Sequence, residues 1–205
     1  MKNLFLVSSF TEVSTNLQSF NTELVGKTVT FIPTASKVEK LTFYVKSGKK
    51  ALESMGLIVD QLDVSTAKPE EIRQKLREND YIYVTGGNSF FLLQELKQSG
   101  ADHIIIEEIQ KGKLYIGESA GAIVLSKTIE YIKKMDSPKK APNLDSFSGL
   151  NIVDFYTVPH YNDIPFSKVT KDIEAQYKEQ LNLCFINNSE GIIVEDNNKR
   201  IINAV

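Results

Sequence analysis

Short apolar runs alternate with longer amphipathic runs over the first 120 residues, and this alternation is the strongest constraint on the fold. The short runs are rich in Val, Ile, Phe and Tyr and are bounded by Gly, Pro or Ser; they are Leu4–Ser8, Thr28–Pro33, Leu57–Val64, Tyr81–Thr85 and Lys113–Gly117. They are mostly continuous rather than alternating in polarity. Continuous apolar strands are typical of a sheet that is covered on both faces.

The segments between these strands have helical patterning. The predicted helices are Lys37–Gly56, Pro69–Arg77, Ser89–Gln98 and Ala101–Gln110. Strands that alternate with helices predict a parallel sheet with right-handed crossovers. The chain has 205 residues, a length that one domain can account for. We therefore expect a single α/β domain over residues 1–205, with a mainly parallel sheet.

The second half of the chain is less regular. Residues 137–151 contain Pro and Gly among polar residues and are predicted to form a long loop. The elements predicted after this loop are a strand-like segment Asn151–Pro159, a helix Phe166–Gln180, a strand Leu183–Asn187 and a terminal hairpin of Gly191–Glu195 and Arg200–Asn203.

Composition excludes several classes of function. The net charge is −2, so the chain has no overall basic field that would hold nucleic acid. Cys184 is the one cysteine, and His103 and His160 are the two histidines, which argues against a disulfide framework and a histidine-rich metal site. We expect no metal and no organic cofactor. The first apolar run is too short for an export signal or a membrane span, and we expect a cytoplasmic protein without membrane contact.

The strongest local motif is the segment Gly117-Glu118-Ser119-Ala120-Gly121-Ala122, which lies between a predicted strand and a helical run. G-x-S-x-G in this context is the pattern of a nucleophile elbow, in which a tight turn presents a serine hydroxyl to a cleft. Ser119 is therefore the candidate nucleophile, and a structural turn is the alternative. The backbone N–H of Ala120 begins a helix and is free to stabilise an oxyanion.

A serine nucleophile needs a base, and His160 is the better of the two histidines. It follows a predicted strand, where sites form in α/β sheets, whereas His103 lies at the start of an amphipathic helix. An acceptor must also orient the imidazole. Asp136 is the preferred candidate and Glu190 the next; the acids Asp145, Asp154 and Asp163 remain open.

A second motif, Gly86-Gly87-Asn88, follows the predicted strand Tyr81–Thr85 and precedes a helix. Paired glycines let backbone N–H groups approach a ligand closely. The N–H of Gly87 is expected to complete an oxyanion hole with the N–H of Ala120. A phosphate cradle and a plain turn are the alternatives, but the segment lacks the lysine of a P-loop.

In their order and spacing, three motifs resemble the peptidase E group of serine peptidases, which includes aspartyl dipeptidases and cyanophycinases. The motifs are Thr85-Gly86-Gly87-Asn88, Gly117-x-Ser119-Ala120-Gly121-Ala122 and Pro159-His160-Tyr161-x-Asp163. The resemblance implies a flavodoxin-like, class I glutamine amidotransferase-like three-layer αβα sandwich that hydrolyses small peptides. It implies Ser119 as nucleophile, His160 as base and an acid near Asp136. It also implies oxyanion and substrate contacts from Gly86, Gly87 and Asn88.

Two departures from that family concern the substrate. Glu118 stands where an aromatic residue is expected, and it adds charge beside the nucleophile. Aspartyl dipeptidases read the substrate carboxylate with an arginine after the histidine, whereas residues 161–199 contain none. Lys168 or Lys171 is a possible replacement, but lysine lacks the planar fork of arginine. The sequence therefore leaves open the substrate side chain, including an N-terminal Asp, and the oligomeric state.

Two other functions stay open at this stage. One is a serine hydrolase that acts on non-peptide substrates, since Ser…Asp…His is also the chain order of the α/β-hydrolases. The other is a catalytically silent binding or regulatory module on the same scaffold. The silent module would be favoured by a structure in which no carboxylate lies within hydrogen-bond reach of His160.

Overall fold

A computed structural model of the chain describes residues 2–21 and 23–204. Its strands are β1 Asn3–Val7, β2 Thr28–Ile32, β3 Ile58–Gln61, β4 Tyr81–Val84, β5 Tyr115–Glu118, β6 Tyr156–Val158, β7 Leu183–Phe185, β8 Glu190–Glu195 and β9 Asn198–Asn203. Within this part of the chain, seven strands form one sheet in the order β3-β2-β4-β5-β1-β8-β9. The first five of these are parallel, and β8 and β9 extend the sheet in antiparallel fashion. β6 and β7 form a separate parallel pair.

Helices cover both faces of the large sheet. They are α1 Phe10–Phe20, α2 Phe43–Ser54, α3 Pro69–Glu78, α4 Ser89–Ser99, α5 Ala101–Gln110, α6 Ala120–Ile123 and α7 Ser167–Tyr177. In β1, Leu4 and Leu6 belong to the core that includes α3, α4 and α5. Phe5 and Val7 belong to the core that includes α1 and α2. Successive side chains of a strand point to opposite faces, so the sheet is the middle layer of an αβα sandwich.

The sequence-based prediction of a mainly parallel α/β sandwich is confirmed. The five predicted N-terminal strands all form, and α3, α4 and α5 lie within a residue of their predicted bounds. Continuous apolar strands and well-marked helix ends are signals that local sequence carries strongly.

The sequence prediction missed α1 and misplaced the start of α2. Phe10, Val13 and Leu17 form the buried stripe of α1, but Ser, Thr and Asn occupy many of the remaining positions. These residues are poor helix formers, so packing rather than propensity forms this helix. The helix predicted from residue 37 begins only at Phe43, because Thr34–Val38 is a short 3₁₀ helix. The strand predicted over Asn151–Pro159 is limited to β6.

The topology brings three strand ends to one edge of the molecule. β1 lies beside β5, and β5 beside β4, all with the same direction. The carboxyl ends of adjacent parallel strands are where α/β sheets form their sites. The predicted motifs at Gly86 and Ser119 directly follow β4 and β5 and are therefore neighbours. No helix within residues 2–21 and 23–204 is both long and apolar enough to cross a membrane.

Candidate active site

Ser119 occupies a strained turn between β5 and α6. Its backbone has φ 48° and ψ −103°, a conformation that residues with a Cβ rarely adopt. The N–H of Ser119 donates to the carbonyl of Val7 at 2.8 Å, and its own carbonyl accepts hydrogen bonds from α6. The helix can follow so closely because residue 121 is glycine: a Cβ there would lie 2.4 Å from the carbonyl oxygen of Val84. These features are those of a nucleophile elbow.

His160 faces Ser119 across the site. Its Nε2 lies 3.1 Å from the Ser119 Oγ, within hydrogen-bond distance. The backbone N–H of His160 donates to the Ser8 Oγ at 3.0 Å, and that hydroxyl donates to the carbonyl of Ile186. The ring of Phe166 stacks on the imidazole at 4.8 Å. The histidine is thus held by its backbone and by its ring face, and it is directed at the serine.

The orienting partner of His160 is Asn188, in the loop between β7 and β8. The Nδ1 of His160 lies 2.7 Å from the Asn188 Oδ1. An amide oxygen only accepts hydrogen bonds, so Nδ1 carries the proton and Nε2 is left as an acceptor for the serine hydroxyl. The pairing of β6 with β7 places the two loops side by side. Asn188 is not among the residues that the sequence predicts for the site, and its one sequence signal is its place just past the predicted strand Leu183–Asn187.

Asp136 does not occupy the position predicted for it. Its carboxylate accepts hydrogen bonds from the backbone N–H and the hydroxyl of Ser89, at 2.8 and 2.6 Å. The acid thus sits at the start of α4, where the helix dipole favours a negative charge, and it does not orient His160. Burial raises its pKa to about 6, against the hydrogen bonds from Ser89, which lower it.

Glu190, the next candidate for this role, accepts a hydrogen bond from the N–H of Asn187. The acids Asp145 and Asp154, also left open by the sequence, lie exposed on loops. The remaining candidate, Asp163, accepts a hydrogen bond from the N–H of Asn188 rather than contacting the imidazole directly.

The environment of His160 keeps its imidazole neutral near pH 7. Burial lowers its pKa, while the hydrogen bond that Nδ1–H donates to Asn188 and the negative charge of Asp163 raise it, with burial dominant. A neutral imidazole with an unprotonated Nε2 is the state that a general base requires.

The turn after β4 supplies candidate oxyanion donors. Gly86 packs against the nucleophile, since a Cβ at this position would lie 3.3 Å from the Ser119 Cβ. Gly87 has φ 135°, and a Cβ there would lie 2.3 Å from the Ala35 carbonyl, so only glycine fits. The backbone N–H groups of Gly87 and Ala120 donate to no acceptor among the described residues.

Asn88 is predicted to contact the substrate, but in the structure its side chain is buried and bonded to other parts of the chain. It is 1% exposed, its Oδ1 accepts from the Phe91 N–H, and its Nδ2 donates to the carbonyl of Ser137. Its side chain therefore caps α4 and anchors the loop that carries Asp136.

Glu118 turns away from the nucleophile. Its carboxylate accepts hydrogen bonds from the Phe10 N–H, the Tyr83 hydroxyl and, at 3.4 Å, the Gly86 N–H. It is 4% exposed, and burial raises its pKa. The pKa of Tyr44, whose ring lies beside Gly86, is raised by burial and by the carboxylates of Glu39, Glu118 and Asp136.

The three arginines do not lie at the strand ends that carry the candidate site. Arg73 and Arg77 lie on α3, which leads into the amino end of β4, and Arg200 lies on the edge strand β9. Lys168 and Lys171 are exposed on α7. No group of three or more His, Cys, Asp or Glu in the described part of the chain is placed to hold a metal ion.

Known proteins are similar to this chain over most of its length. The model of peptidase family S51 matches residues 4–202. The Listeria innocua protein named Uncharacterized peptidase Lin0382 is 59% identical over 96% of this chain and 94% of its own length. Peptidase E of Haemophilus influenzae is 31% identical over 78% of this chain and 74% of its own length.

Solved structures show the same fold. A crystal structure of a protein from Listeria monocytogenes EGD-e has a TM-score of 0.96 and 56% identity, and covers 99% of this chain and 98% of its own. A peptidase from an acI-B1 Actinobacterium has a TM-score of 0.73 at 23% identity, over 99% of this chain and 88% of its own.

Proposed function

The chain belongs to peptidase family S51, and from this premise we propose that it is a serine peptidase that cleaves small peptides with Ser119, His160 and Asn188. The observation that carries the proposal is the 3.1 Å contact between the Ser119 Oγ and an imidazole whose other nitrogen is fixed by Asn188. The family supports a peptidase; the catalytic residues rest on this contact.

The proposed reaction follows from which atoms carry protons. The Ser119 Oγ attacks the scissile carbonyl and passes its proton to Nε2 of His160, while Nδ1–H stays bonded to Asn188. The N–H groups of Gly87 and Ala120 stabilise the oxyanion, an effect of about 10²–10³ in kcat for each donor. The imidazolium then protonates the leaving amine, and water, activated by the same histidine, releases the acyl group from the serine.

We propose that the substrates carry a neutral side chain next to the scissile bond. The carboxylates of Glu118 and Asp136 act on Tyr44, whose ring lies 3.6 Å from a Cβ position at Gly86 beside the nucleophile, whereas the nearby Glu39 is paired with Lys140 at 2.7 Å. Like charges repel, so Glu118 and Asp136 disfavour an acidic substrate at this place, and residues 161–199 contain no arginine that could pair with one. Peptides of the form Ala-X and Leu-X should be cleaved with higher kcat/KM than Asp-X. A preference for Asp-X would contradict this part of the proposal.

The decisive experiment replaces the nucleophile. Ser119→Ala should remove peptidase activity against a dipeptide panel by a factor of at least about 10⁴ while leaving circular dichroism unchanged. A fluorophosphonate probe should label the parent protein at Ser119 and should not label the variant. Ser54→Ala on the exposed face of α2 is the matched control, with activity and labelling retained. Full activity in Ser119→Ala would show that the assignment is wrong.

A catalytically silent module is the second candidate, and the amide at Nδ1 is the observation that favours it. The imidazole of His160 is hydrogen-bonded to the side chains of Ser119 and Asn188, and neither of these carries a charge. Cysteine peptidases of the papain type nevertheless use asparagine at this place. Peptide binding without turnover, together with no labelling by the probe, would support the silent module. Activity on an ester panel but not on peptides would instead indicate a non-peptidase hydrolase.

A further inference from the structure

The amide of Asn188 performs only half of the work that an aspartate performs in a serine peptidase. An aspartate at Nδ1 both fixes the tautomer and stabilises the imidazolium that forms during the reaction. Asn188 fixes the tautomer through its 2.7 Å contact, but it is neutral. Burial penalises the charged imidazole, so a compensating negative charge is needed near the ring.

Asp163 lies where such a charge is needed. It ends a tight turn that begins at His160, and its N–H donates to the carbonyl of His160 at 3.0 Å. The turn requires left-handed backbone at His160 and Asn162, with φ of 58° and 64°. The carboxylate of Asp163 accepts the N–H of Asn188 at 2.7 Å. One side chain therefore joins the two loops that carry the base and its orienting amide.

The other nearby acids form hydrogen bonds with groups other than His160 and Asn188. Glu174 on α7 accepts the hydroxyl of Tyr161, and Glu190 on the Asn188 loop accepts the N–H of Asn187. On the side of the nucleophile, Glu118 is bonded to α1 and β4, and Asp136 to the start of α4. The charge that acts on the imidazole of His160 is that of Asp163.

We propose that Asp163 is the positioning residue that completes the catalytic group: it holds Asn188 against the imidazole and supplies the negative charge that Asn188 lacks. The inference rests on the proposed serine mechanism. It divides between two residues the two tasks that one aspartate performs in other serine peptidases, and Asp163 reaches the reacting atoms only through Asn188 and His160.

Two substitutions separate the tasks. Asp163→Asn keeps an acceptor for the Asn188 N–H and removes the charge, so it should lower kcat with little change in KM and move the acid limb of the pH profile to lower pH. Asp163→Ala also releases the Asn188 loop and should lower kcat on the order of 10²-fold, as expected for a displaced catalytic group. Glu190→Gln removes a carboxylate from the same loop and should leave the acid limb in place. Parent kcat and an unmoved acid limb in both Asp163 variants would overturn the proposal.

A second measurement needs no turnover. The two histidines can be titrated by NMR in the Ser119→Ala background, and His103, whose side chain is 81% exposed, is the internal reference. Asp163→Asn should lower the pKa of His160, because a stabilising negative charge is lost, and should leave His103 unchanged. An unchanged His160 titration would refute the electrostatic role even in a catalytically silent protein. Full activity of Ser119→Ala alone would instead refute the serine mechanism, so the two failures are distinguishable.

Discussion

Asp136→Asn tests directly whether Asp136 is a member of the catalytic group or a half-buried carboxylate at a helix start. In the structure, the acid accepts two hydrogen bonds from Ser89 and is half-buried. An asparagine keeps an acceptor for the Ser89 N–H and removes the charge. The substitution therefore leaves the local geometry in place and changes the cost of burying a carboxylate.

The size of that cost follows from the pKa of Asp136. Burial raises it from an ordinary 3.8 to about 6, which corresponds to at most about 3 kcal/mol at 1.36 kcal/mol per pKa unit. Because the folded-state pKa is the higher one, the folded protein favours the protonated acid and is destabilised once the carboxylate forms. Asp136→Asn should therefore raise the free energy of unfolding by up to about 3 kcal/mol above pH 6. The gain should fade as the pH drops from 6 towards 3.8 and vanish below it.

Urea unfolding at pH 7.5 and at pH 4 measures this effect. The slope of the unfolding free energy against urea concentration should be the same in both proteins, which checks that the transition is unchanged. Asp145→Asn, an exposed acid on the following loop, is the matched control and should have no effect at either pH. Activity is measured alongside, because loss of a triad aspartate costs about 10⁴ in kcat. A destabilised Asp136→Asn protein at pH 7.5, or a 10⁴-fold loss of kcat with unchanged KM, would refute the placement of Asp136.

Three further substitutions probe the rest of the site. Asn188→Asp places a carboxylate against Nδ1, so the pKa of His160 should rise and the acid limb of kcat/KM should move to higher pH; an unmoved or lowered limb would contradict the contact. Gly121→Ala brings a Cβ to 2.4 Å from a carbonyl of β4 and should cost about 1–3 kcal/mol in urea unfolding, and a neutral effect would show that the elbow is looser. Glu118→Ala removes the acceptor of the Tyr83 hydroxyl and of the Phe10 and Gly86 N–H groups and should cost about 1–3 kcal/mol for each group left unpaired. A stability equal to that of the parent would mean that water replaces the carboxylate.

The positions of Asp136 and Asn188 show where sequence reasoning about the site ended. The prediction of Asp136 rests on its residue type, its order after Ser119 and a family resemblance. Several acids satisfied such criteria equally well, and none of the criteria states which side chain reaches Nδ1. Asn188 was passed over because it cannot be ionised. Its contact with the imidazole depends on the pairing of β6 with β7, in which Tyr156 lies opposite Leu183, 27 residues further along the chain.

The sequence by itself determined the elements that local patterns specify: the parallel strands, most of their helices, and the elbow at Ser119 with its flanking glycines. These follow from apolar periodicity and from backbone conformations that only small residues allow. Only the tertiary structure decided what surrounds His160, which way Glu118 points, and that Asn88 and Asp136 secure α4. Which groups become hydrogen-bond partners depends on how loops distant in the chain pack together. Burial and charge then determine which of these pairings is the most stable.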